Sequence, residues 1–220
     1  MQDRVGSSLA DLTPVLAKAA AGDAEAWRML VNGYSRKVYG YLLKRTQNVD
    51  LAEELTQATF VKIVEKLNNF KGYKELGRFE SWLFRIAVNK LRDEMRRRNR
   101  QARAISSYMQ SGTDERSGNQ AVSDWDRIDV IEDVSSQSPL EQLSMREQIE
   151  LIKVAVGKLS EEEQEVLYLR HTGGLSFAQI AQVLGQPIGT VLARVHRALN
   201  KLRIMLDGPV QSVTRGEPDR

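Results

Sequence analysis

The feature that most constrains this chain is a helical apolar rhythm that runs through two stretches and is interrupted once between them. From Asp23 the residues Ala26, Trp27, Leu30, Val31, Tyr34, Val38 and Leu42 recur at three- and four-residue intervals to about Thr46. Asp11 to Ala21 reads as a short helix ended by Gly22, with Asp23 as an N-cap for the next. A third helix, capped by Asp50, presents Leu51, Leu55, Ala58, Ile63 and Leu67. A fourth starts near Ser81 and buries Trp82, Leu83, Ile86, Ala87 and Leu91. Between about Gln101 and Ser138 the rhythm disappears into Ser, Gly, Gln, Asn and Asp, too little apolar surface to offset chain entropy. It resumes at Pro139 and runs through Leu143, Ile149, Ile152, Val156 and Leu159. With no alternating strand pattern of useful length, the expected fold class is all-α: two small helical domains joined by a flexible acidic linker. The expected boundaries are 1–100, linker 101–138, second domain 139–206 and tail 207–220.

Charge follows the same division. The formal total is +3, yet residues 1–100 carry a net +7, residues 101–145 a net −5 and residues 146–220 a net +1. Five arginines fall between Arg92 and Arg100, after a loop bearing Phe70, Gly72, Tyr73, Gly77 and Phe79. Guanidinium forks suit phosphate oxygens, and neighbouring rings can stack on unpaired bases, so this stretch points to a nucleic acid. Taken without the arginines, Trp82 and Phe84 read as core. Within the linker, AVSDWDRIDVIEDV has closely spaced apolar residues suited to docking on a partner.

The second domain opens two helices with capping boxes, Ser160 with Glu163 and Ser176 with Gln179. The glutamates at 161–163 are explained by the positive helix terminus without a catalytic role. SFAQIAQVLGQPIGTVLARVHRALNKLR has the layout of a helix-turn-helix: small Ala181 at the crossing, Gly185 in the turn, Pro187 where the second helix begins. Ile188, Val191, Val195, Leu199 and Leu202 form the expected buried stripe. Thr190, Arg194, Arg197 and Lys201 form an outward face suited to the major groove.

The absence of cysteine excludes disulfides and thiolate metal sites. No apolar run approaches the ~18 residues of a membrane span, and the amino terminus lacks a signal pattern. A soluble cytoplasmic protein without membrane insertion is expected. His171 and His196 stand in different settings, and Asp124, Asp126 and Asp129 lack the fixed scaffold that a metal site needs. No catalytic residue, metal or cofactor is therefore expected.

In its order and sizes the chain resembles the extracytoplasmic-function sigma factors of the sigma-70 family. DLAEELTQATFVKI, RFESWLFRIAVNKLRD and LSEEEQEVLYLRHTGGLSFAQIAQVLGQPIGTVLARVHRAL carry the resemblance. It implies a first domain that binds the clamp helices of core RNA polymerase and opens the −10 element of promoter DNA. It also implies a second domain that reads the −35 element, a linker that enters polymerase channels, and an anti-sigma factor as a further partner. Asp50, Glu53, Glu54 and Gln57 match the polymerase-binding face. Phe70, Tyr73, Phe79 and Asn89 match the elements that capture a flipped base, with Arg92, Arg96 and Arg97 on nearby phosphates. Three departures stand out: Leu192 where a basic residue is common, Gln179 where glutamate is common, and a heavier basic run over Arg96–Arg100. The competing readings are a helix-turn-helix regulator that is not a sigma subunit and a helical nucleic-acid enzyme.

Overall fold

A computed structural model describes residues 12–67, 79–109 and 139–210. Among these, eight helices and no strands are found. The first domain comprises α1 (Leu12–Ala20), α2 (Ala24–Thr46), α3 (Val49–Leu67) and α4 (Phe79–Met109). The second comprises α5 (Pro139–Gly157), α6 (Glu161–His171), α7 (Phe177–Leu184) and α8 (Ile188–Val210).

The helix boundaries follow local chemistry. Gly22 turns the chain out of α1 at φ +89, where a side chain would be strained, and Asp23 then accepts the Ala26 N–H at 2.8 Å. At the α2–α3 corner the cap is Asn48, not the expected Asp50: its side-chain oxygen accepts the Leu51 N–H at 2.8 Å. Asp50 lies in the first turn of α3, where its charge still meets the helix dipole. Both capping boxes of the second domain are formed. Gly185 ends α7 in the left-handed conformation, φ 65 and ψ 37, and sets the angle between α7 and α8.

Three expectations need correction. The helix begun near Ser81 starts at Phe79 and continues through Gln101 to Met109, so the first nine residues of the expected linker are helical. Arginine, glutamine and alanine are good helix formers, and Glu94 braces Arg97 and Arg98 one turn away. In α5, Ile152 is 48% exposed and Ala155 is buried instead; the helix ends at Gly157, with Leu159 buried just beyond it. In α8, Ile188 and Leu199 are also exposed; Val191 and Ala198 are fully buried, with Val195 and Leu202 packed alongside.

The two domains do not stand apart. Leu83, Phe84 and Val88 of α4 belong to one continuous core with Val166, Leu169, Leu175, Ile180, Val183 and Val191. Gly40 and Gly173 make this possible. A Cβ on Gly40 would lie 2.9 Å from the Thr172 methyl, and one on Gly173 would lie 3.1 Å from the Phe84 ring.

Candidate nucleic-acid interface

The exposed face of α3 comes directly from its periodicity. Leu51, Ala52, Leu55, Thr59, Ile63 and Leu67 are buried, which turns Asp50, Glu53, Glu54 and Gln57 outward. Further along the same side stand Val61, 58% exposed, and Val64, 40%. The face is thus acidic at one end and apolar at the other. Sequence reading identified the acidic end; the apolar end was there to find as valines out of phase with the buried set.

On α4, the buried residues Phe84, Ala87, Val88 and Leu91 leave Asn89 exposed. Phe79 does not join it. Its ring is buried, edge-on to Tyr34 at 5.4 Å and tilted against Trp82 at 6.0 Å, so it is core rather than a stacking surface. Phe70 and Tyr73 lie outside the described residues. Beyond Asn89 the arginines are partly neutralised by their own helix. Arg97 makes two bonds to Glu94, at 2.7 and 3.0 Å, Arg98 makes one at 2.8 Å, and Arg96 lies 3.8 Å from Asp93. Arg97, then Arg98, hold the Glu94 carboxyl below its ordinary range. Such surface pairs are weak and exchange readily for phosphate.

In the helix-turn-helix, the four predicted contacts divide. Thr190 and Arg197 are exposed. Arg194 is largely covered: it donates to Gln186 Oε1 at 2.7 Å and lies 3.7 Å from Glu162. Lys201 donates to both Glu163 oxygens at 2.9 Å. All four lie along one side of the buried stripe, with Ile188, Leu192 and Leu199 along the other; Gly189, Ala193, His196 and Asn200 lie opposite it.

Two DNA-suited faces on one chain, separated by an acidic segment, invite comparison with known proteins. The family descriptions Sigma-70 region 2 and Sigma-70, region 4 match residues 30–101 and 149–202, together more than half of the chain. The chain is a sigma factor of the sigma-70 family, in the extracytoplasmic-function group. It is 29% identical over 195 residues to the RNA polymerase sigma-H factor of Pseudomonas aeruginosa, covering 88% of this chain and 91% of that protein. It is 26% identical to ECF RNA polymerase sigma factor SigW of Bacillus subtilis, covering 84% and 91%. The fold is also that of CnrH in its complex with the cytosolic domain of CnrY: TM-score 0.58, 24% identity, 90% of this chain and 99% of that one.

In this sigma factor the regions 2 and 4 are clasped by polar contacts around the shared core. Arg92 reaches both Glu165 oxygens at 3.3 Å. Lys44 donates to Thr172 Oγ1 at 2.9 Å and lies 5.7 Å from the centre of the Tyr168 ring. Gln179 donates to Glu80 at 3.0 Å, and Glu80 also accepts from the Tyr34 hydroxyl at 3.3 Å. Burial lowers the Lys44 ammonium pKa and raises that of the Tyr168 hydroxyl. Tyr41, fully buried beside Glu165, Arg45 and Arg92, is pushed up by burial first and Glu165 second. Sequence reading missed this clasp; Arg92, expected on phosphate, is instead engaged with the other domain.

Among the described residues no helix is long and apolar enough to cross a membrane.

Proposed function

We propose that this chain directs core RNA polymerase to specific promoters, reading the −35 element through α8 and opening the −10 element through α4. The observation that carries the reading is the coexistence on one chain of matches to sigma-70 regions 2 and 4, with Asn89 and the helix-turn-helix both at the surface. Asp50, Glu53, Glu54 and Gln57, with Val61 and Val64, form the face for the polymerase clamp helices. Asn89, with Phe70 and Tyr73, takes a base flipped from the non-template strand, while Arg96 and Arg97, joined by Arg92 once it is released from Glu165, hold the adjacent phosphates. Thr190, Arg194, Arg197 and Lys201 hold and read the upstream duplex. The protein works by binding rather than covalent chemistry, in the cytoplasm where the polymerase and promoters are.

The clasp supports a regulatory partner of the anti-sigma class. A protein that stabilised the docked domains would keep Arg92 on Glu165 and oppose promoter engagement.

The test is transcription from a fragment library by core polymerase with and without the purified chain. Discrete start sites that appear only with the chain are expected. Permanganate footprinting then follows the −10 step: Asn89→Ala should flatten the ranking of single-base −10 variants while polymerase binding persists. An unchanged ranking would remove Asn89 from the pocket. If no added start sites appear in the library, the sigma reading itself fails.

A further inference from the structure

One exposed side of α8, from Ile188 through Leu192 to Leu199, is uncharged. Leu192 is 44% exposed, beside exposed Gly189, Ala193 and His196, and Ile188 one turn earlier is 49% exposed. The adjacent Val191 is fully buried, so the phase of the helix, and hence the outward direction of Leu192, is fixed by packing. The cations lie along the opposite flank: Arg197 is exposed, while Arg194 and Lys201 are held by Glu162 and Glu163 of α6. A Cβ built on Gly189 meets nothing within 4 Å, and Ala193 is equally small, so this surface can approach a groove closely.

A leucine has no hydrogen-bond donor for a phosphate or a guanine edge. The one apolar group that the major groove presents is the C5 methyl of thymine. Left in water, the isobutyl group gains nothing; against a methyl, both lose hydrated surface. We propose that Leu192 is a specificity-determining residue that reads a thymine methyl in the upstream promoter element. This rests on the reading of α8 as the helix that enters the −35 duplex. The basic residue common at this position in the family is replaced by a different kind of recognition, one insensitive to salt and blind to the phosphates.

Uracil lacks only that methyl, which makes it the probe. Holoenzyme reconstituted from core polymerase and the full chain would first select fragments from a duplex library. Each thymine in the protected upstream stretch of a selected fragment is then replaced singly by uracil. At one position wild-type binding should weaken about four-fold, as expected for one buried methyl-sized group. In Leu192→Ala, which improves helix propensity and leaves the core untouched, the thymine-to-uracil ratio should fall to one. Leu192→Lys should also ignore the methyl, and its binding should fall more steeply with salt. Arg197→Ala should weaken binding to both fragments and preserve the ratio. Equal wild-type binding to thymine and uracil at every upstream position overturns the inference, as does persistence of the ratio in Leu192→Ala. If the chain confers no fragment selection on core polymerase, the wider reading fails and takes the inference with it.

Discussion

Glu163 shows how much one side chain can hold. Its carboxylate accepts the Ser160 N–H at 3.0 Å, its own N–H is capped by the Ser160 hydroxyl, and Lys201 of α8 donates to both oxygens. Lys201, above all, holds the Glu163 carboxyl below its ordinary range. The folded value lies below the unfolded one, so this contribution is fully present above the ordinary glutamate range. It is lost as pH falls through the lowered value. Glu163→Gln keeps an acceptor for the cap but drops the charge. Half-exposed Lys201 limits the cost at neutral pH to about 1 kcal/mol. The variant should unfold at lower urea than wild type at pH 7, and the two should converge as pH falls below the ordinary glutamate range; curves that stay parallel would show that Glu163 is not the titrating group. The capping role was readable from Ser160 and Glu163 at their three-residue spacing. The link to Lys201 was not, because it joins residues 38 apart in sequence. Phe79 illustrates the opposite error. Set among glycines and rings it looked like a binding loop, yet Tyr34 and Trp82 offered it a dry place first.

At the level of single helices the sequence was most informative where one face is buried and one is not. For α3 the buried leucines and isoleucine fixed the outward direction of Glu53 and Glu54 without any knowledge of neighbours. Reversing both to lysine should leave the helix folded, since both are exposed, and should weaken core polymerase binding at least ten-fold, because like charges would meet across the interface. Surface-immobilised core polymerase would measure it, and unchanged affinity would remove this face from the interface. Periodicity failed where apolar residues occur on more than one side. In α8, Ile188 and Leu199 fit the three-and-four rule as well as Val191 and Ala198 do, and contact with α5, α6 and α7 decides between them. In α4 the rule was applied too narrowly: Ala102, Ile105, Tyr108 and Met109 keep three- and four-residue spacing beyond Gln101, and the helix continues through them.

For the molecule as a whole, the two-domain division was legible and the docking was not. Each clasp contact pairs residues far apart in sequence: Arg92 with Glu165, Glu80 with Gln179, Lys44 with Thr172, separated by 73, 99 and 128 positions. Gly40 is the place to test it. A leucine there suits α2, gaining roughly 1 kcal/mol of helix propensity, but its side chain would collide with Thr172 across the junction. Gly40→Leu should therefore increase the radius of gyration in small-angle X-ray scattering while circular dichroism stays unchanged. It should also bind promoter fragments more readily in the absence of polymerase, with Arg92 released. A radius equal to that of wild type would mean that the domains tolerate the wedge.

Gln179 carries a consequence of its own. Its side-chain oxygen accepts the Ser176 N–H at 2.8 Å, while its amide nitrogen donates to Glu80 of the other domain. A glutamate at this position would serve the first purpose equally well. Toward Glu80, however, it would set one carboxylate against another. Exchanging a single NH2 for an oxygen thus keeps the local fold and reverses the sign of a long-range contact. A substitution that looks conservative within the helix can in this way decide whether the two domains attract or repel each other at this point.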